Sequence, residues 1–91
     1  MSYRTKINPE AWAEIRALPG YVRAQARKLI DRLANEPRPS RARELRGKPN
    51  IYRIWLAAKW RIAYEVIDED FCVHVLRVRR KEDIDYESLP P

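Results

Sequence analysis

The chain has 91 residues, 45% of them apolar, and 19 Lys and Arg against 13 Asp and Glu give it a net charge of +6. That length excludes two independently cored units and predicts a single domain over residues 1–91. No apolar run approaches the ~20 residues that cross a bilayer, "MSYRTKINPEAW" lacks the apolar stretch of a secretory signal, and the lone Cys72 excludes an internal disulfide and a zinc cluster, so a cytoplasmic protein is expected.

Tyr3 to Ile7 alternates and predicts an opening strand. Asn8 followed by Pro9 supplies an N-cap and a first-turn proline, so a helix begins there. Trp12, Ile15 and Leu18 recur three apart and predict its buried stripe, with Trp12 in the core; "LPG" ends it. A second helix is predicted from about Tyr21 to Asn35, with Val22, Ala26, Leu29, Ile30 and Leu33 inward and Arg23, Arg27 and Asp31 outward. The short link makes the two an antiparallel hairpin. "NEPRPSRAR" reads as a loop, a short extended piece around Glu44 to Arg46 ends at Gly47, and "KPN" makes a turn. Three strands follow, near Tyr52–Leu56, Arg61–Ile67 and Phe71–Val78, and their short connections make them antiparallel neighbours. The tail "KEDIDYESLPP" has room for a helical turn before its prolines. The order predicts an α+β fold: an N-terminal strand, then a helical hairpin packed on one face of a mainly antiparallel four-stranded sheet.

The cations are not spread evenly. Arg38, Arg41, Arg43, Arg46, Lys48, Arg53, Lys59 and Arg61 are accompanied by one acid, Glu44, and a second cluster of Arg77, Arg79, Arg80 and Lys81 follows the last strand. Such clustering favours a polyanionic partner. If Tyr52, Ile54 and Leu56 face the helices, alternation turns Arg53 and Trp55 to the opposite face, together with Arg61 of the next strand. That face is left open by the helical hairpin.

The run Leu45 to Tyr86 carries "LRG", then Tyr52-Arg53-Ile54, then "WRIAYEVID" from Trp60, then a strand ending in a basic cluster before a tyrosine. In this order the pieces resemble the C-terminal half of the RelE/ParE superfamily of bacterial toxins from type II toxin–antitoxin systems, and the preceding strand and helical hairpin resemble its first half. The resemblance implies one of two activities. RelE-like members cut mRNA in the ribosomal A site and leave a 2′,3′-cyclic phosphate; ParE-like members inhibit DNA gyrase. The RelE pattern has basic residues at two alternating positions of the first hairpin strand, an Arg on the next, a basic residue after the last strand and a Tyr in the tail. Arg53, Arg61, Lys81 and Tyr86 match it, and these four are the expected catalytic set. Trp55 stands at the second hairpin position, where Lys is typical. Lys48, Trp55, Lys59, Arg79 and Arg80 are the expected RNA contacts.

Attack by a 2′-hydroxyl needs a base, an acid for the leaving 5′-oxygen, charge stabilisation and in-line geometry. His74, the only histidine, lies mid-strand between Val73 and Val75 and reads as structural, so a two-histidine mechanism is excluded. Clustered cations offer another route, stabilising the phosphorane and favouring proton loss from a neighbouring group. Arginine does not surrender its proton, so Arg53 and Arg61 are assigned to the phosphate, and Tyr86 or Lys81 to the proton. No metal and no cofactor are expected. The expected partners are a cognate antitoxin, the ribosome and mRNA, without a membrane. The rivals are a ParE-like gyrase inhibitor, which would leave mRNA intact, and a non-catalytic nucleic-acid or partner-binding module.

Overall fold

The computed structural model describes residues 2–89. Strand β1 (Arg4–Ile7) leads into helices α1 (Pro9–Arg16) and α2 (Gly20–Asn35), followed by β2 (Arg43–Glu44), β3 (Ile51–Leu56), β4 (Trp60–Ile67) and β5 (Cys72–Arg80). Short 3-10 turns cover Asp68–Asp70, Lys81–Asp83 and Tyr86–Ser88. The sheet order is β1-β5-β4-β3-β2, with β1 parallel to β5 and the other neighbours antiparallel. The extended piece expected after the proline loop pairs with β3 through two residues, which adds a fifth, very short strand at the sheet edge.

Local chemistry accounts for the helical hairpin. Asn8 Oδ1 accepts the Glu10 backbone N–H at 2.8 Å, with Pro9 at the first helical position. Val22, Ala26, Leu29, Ile30 and Leu33 of α2 are all buried, as its periodicity requires. On α1 the buried stripe is Ala11, Ile15 and Leu18, and Trp12 is 48% exposed, contrary to the sequence expectation. The small Ala11 lets α1 lie close along β5, and Trp12, a further 100° round the helix, is turned outward.

The core lies between the helices and one face of the sheet, filled by Ile54, Leu56, Ile62, Tyr64, Val66, Val73, Val75 and Val78. A bulge sets the other face. Ala63 pairs with Arg77 and Tyr64 with Val75, so Leu76 is an extra residue in β5. Were Leu76 paired as in a regular strand, Arg77 and Arg79 would follow Val73 and Val75 into the core; because it bulges out, Val78 returns to the core opposite Ile62. Leu76 instead joins Ile51, Ala63 and Leu89 in a small second cluster on the far face, with Leu45 and Tyr86 against it. That face is therefore not bare. The tail crosses it and is anchored by Leu89.

One basic residue of the central cluster is structural. Arg38 donates to Tyr52 Oη at 2.9 Å, to Asn50 Oδ1 at 3.0 Å and to both Asp68 oxygens at 3.2 and 2.8 Å, and Tyr3 Oη donates to Asp68 at 2.6 Å. Buried Tyr64 donates its hydroxyl to the Pro37 carbonyl at 2.8 Å. Together these fasten the proline loop to β3, β4 and β1.

Candidate functional site

Trp55 and Arg61 are directly opposed on β3 and β4, on the face away from the helices. The Arg61 guanidinium lies 4.2 Å from the Trp55 ring centroid and Lys81 Nζ lies 5.8 Å from it, both within cation–π range. Arg61 is only 8% exposed. Its Nη1 donates to Tyr86 Oη at 3.1 Å, and its Nε is buried with no hydrogen-bond partner among the described residues. A buried, unpaired donor costs about 1–3 kcal/mol, so a group held this way is better suited to a bound acceptor than to the empty state.

Beside it Arg41, Arg43, Arg53, Arg61 and Trp55 line a cleft of about 220 Å³. Arg43 and Arg53 are cross-strand partners, and like charges directly opposed destabilise a sheet. An anion between them reverses that sign. The ion pairs among the described residues lie elsewhere, Arg38–Asp68, Arg77–Glu10 and Arg79–Glu14, so no carboxylate neutralises the cleft.

The four residues expected to act together are brought to one region. Arg53 and Arg61 line the cleft, Tyr86 is bonded to Arg61, and Lys81 stands over Trp55. The 3-10 turn at Lys81–Asp83 leaves Glu82, Asp83 and Asp85 exposed. The Lys81 N–H donates to the Lys59 carbonyl at 3.0 Å, which ties the start of the tail to the β3–β4 turn.

The expected RNA contacts are more scattered. Lys48 Nζ donates to the Leu89 carbonyl at 2.7 Å and so holds the tail. Arg80 pairs in register with Trp60 and lies 5.3 Å from its ring, on the helix side of the sheet. Arg79 is bound by Glu14 and by the Asp83 carbonyl. The same Glu14 accepts the Val78 N–H at 2.9 Å, because β5 runs past the end of β1 and that donor has no strand partner. Arg41 and Arg43 were missed as site residues; their only sequence signal was membership of the basic cluster, since loop paths are not encoded by periodicity.

Residues 5–84 match the family described as the ParE toxin of the type II toxin-antitoxin system, parDE. The mRNA interferase toxin RelE of Escherichia coli strain K12 is 36% identical over 83 residues, spanning 90% of this chain and 86% of its own. This chain belongs to the RelE/ParE toxin superfamily, on its RelE branch. The isolated E. coli RelE toxin has the same fold, with a TM-score of 0.80 at 33% identity over 96% of this chain and 93% of that one. The intact E. coli RelBE toxin–antitoxin complex matches with a TM-score of 0.78 at 34% identity, covering 87% and 96% of the respective chains.

Within this RelE-branch toxin, histidine stands apart from the cleft. His74 is flanked by Lys6 and Glu65 in the sheet register. Partial burial, reinforced by Lys6 and opposed by Glu65, holds its pKa below the ordinary imidazole value. The groups near the cleft that carry exchangeable protons are the Tyr86 phenol and the Lys81 amine. Arg61 donates into the phenol oxygen, which leaves the phenol's own O–H free to donate elsewhere.

Proposed function

We propose that this chain is the toxin of a type II toxin–antitoxin pair and a ribosome-dependent mRNA endonuclease cutting in the A site. The carrying observation is Arg61: buried, stacked on Trp55, with one donor unsatisfied and another on the Tyr86 hydroxyl. In this reading Arg53 and Arg61 hold the scissile phosphate. The 2′-oxygen attacks phosphorus as its hydroxyl proton passes to solvent water, with Lys81 over Trp55 beside the developing charge. The P–O5′ bond breaks as Tyr86 delivers its proton to the leaving oxygen, and the products are a 2′,3′-cyclic phosphate and a 5′-hydroxyl. Fixed cations supply about 3 kcal/mol each at the transition state.

The ribosome contributes what the shallow cleft lacks, a substrate held in line. It also places the activity in the cytoplasm; no described helix is long and apolar enough to cross a membrane. The cognate antitoxin is an acidic or amphipathic segment that covers the basic face or displaces the tail carrying Tyr86. Support comes from E. coli RelE, solved with an antitoxin RelBc peptide, and from the tail's attachment here through short turns rather than a packed helix. Primer extension on mRNA from a reconstituted translation system tests the reading. New 5′ ends within A-site codons, absent with Arg61→Ala, are expected. Intact mRNA accompanied by gyrase inhibition would overturn it in favour of the ParE activity.

A further inference from the structure

A second cleft, also of about 220 Å³, adjoins the first and shares Arg41 and Trp55 with it; its outer wall carries Gln25, Lys28 and Arg32 of α2. These three lie three and four residues apart, on one helix stripe. Lys28, Arg32 and Arg41 are exposed and make no ion pair with a carboxylate among the described residues, and no acid lines this cleft. Trp55, 42% exposed, stands at the corner between the two.

We propose that the substrate strand does not end at the cleavage cleft but continues around Trp55 onto α2, where Lys28 and Arg32 hold the phosphates of a single-stranded RNA flank. This rests on the endonuclease reading. A strand held at Arg53 and Arg61 carries a further negative charge with every nucleotide, and the uncompensated cations of the adjoining cleft continue the same sign. Trp55 offers a base the stacking face that single-stranded RNA sites use. An acidic polypeptide fits less well, because Leu29 and Leu56 in this wall are buried and leave no apolar pocket for an anchor.

Fluorescence anisotropy tests it with two labelled RNAs made uncleavable by a 2′-deoxy nucleotide, one long enough only for the first cleft and one extended past it. Wild-type protein should bind the longer RNA about tenfold more tightly, with a steeper salt dependence. Lys28→Ala combined with Arg32→Ala should remove most of that gain. It should also lower the slope of log K against log salt by about 1.4, at about 0.7 per single-strand phosphate contact. Circular dichroism checks that α2 stays folded. Equal wild-type affinity for both lengths, or a gain that survives the double substitution, overturns the α2 track while A-site cleavage stands. Loss of antitoxin binding without loss of the length gain does the same. Absence of A-site cleavage by wild type overturns the endonuclease reading itself.

Discussion

Arg61 combines two properties that suit a substrate contact better than a stabilising role. It is a buried cation with an unpaired Nε, and it faces a cleft that holds three further arginines. Its stacking on Trp55 and its bond to Tyr86 offset part of that cost. Arg61→Met should therefore change unfolding free energy by no more than about 1 kcal/mol, measured by urea denaturation, while A-site cleavage falls by about a hundredfold or more. A stability loss above about 2 kcal/mol would make Arg61 a packing residue. Tyr86→Phe keeps the ring and removes the proton. It should slow single-turnover cleavage by about 10²–10⁴-fold with little change in ribosome affinity. Cleavage at the wild-type rate would shift the acid role to Lys81.

At the scale of elements, three attachments position the site, and each is testable alone. The Leu76 bulge reverses the parity of β5. Deleting Leu76 should leave Arg77 and Arg79 on their present side, because Val75 and Arg77 then follow one another opposite Tyr64 and Ala63. It should cost only the Leu76 contacts with Ile51, Ala63 and Leu89, and unfolding should stay cooperative at a lower midpoint, read by circular dichroism during heating. The tail is a satellite held by Leu89 against Ile51, Ala63 and Leu76. Leu89→Ala should loosen residues 81–89, seen as faster amide exchange there, and cut cleavage several-fold while the main core keeps its protection. The proline loop is fastened by Arg38 and Asp68. The Arg38 hydrogen bonds, then that from Tyr3, lower the Asp68 pKa from 3.8 to about 2. A depressed carboxyl pKa contributes stability above its unfolded value and loses it as pH falls through the folded value. Stability should thus decline between about pH 4 and pH 2, and Asp68→Asn should flatten that part of the pH profile. An unchanged profile would mean that Asp68 does not couple to unfolding.

Across the whole molecule, the sheet separates two tasks. One face is covered by the helical hairpin and holds the main core; the other carries Arg53, Trp55, Arg61 and the tail. A site made of cations and one phenol, with its histidine elsewhere, depends on substrate geometry more than on a strong base. Naked mRNA should be cut far more slowly than ribosome-bound mRNA, by about 10³-fold or more, in parallel primer-extension assays. Equal rates would remove the ribosome from the mechanism.

Much of this was legible in the chain because it is local. The Asn8-Pro9 cap needs only neighbouring residues, the α2 stripe needs only its own 3.6-residue period, and alternation within β3 and β4 already turns Arg53, Trp55 and Arg61 to one side. The rest depends on contacts between segments far apart in sequence. Nothing in residues 9–18 says that β5 lies beneath them, so a small Ala11 was passed over for Trp12. Nothing within "CVHVLRVRR" marks Leu76 as an extra residue; the mismatch exists only against β4. Arg38 became a fastening and Arg43 part of the cleft according to where one proline loop crossed the sheet. Local order along the chain carries the elements, their faces and the chemical types available. Which cations stand together unneutralised, and which are consumed by Asp68, Glu10 and Glu14, is set in the folded chain, because it depends on the distances at which long-range pairing brings the charges together.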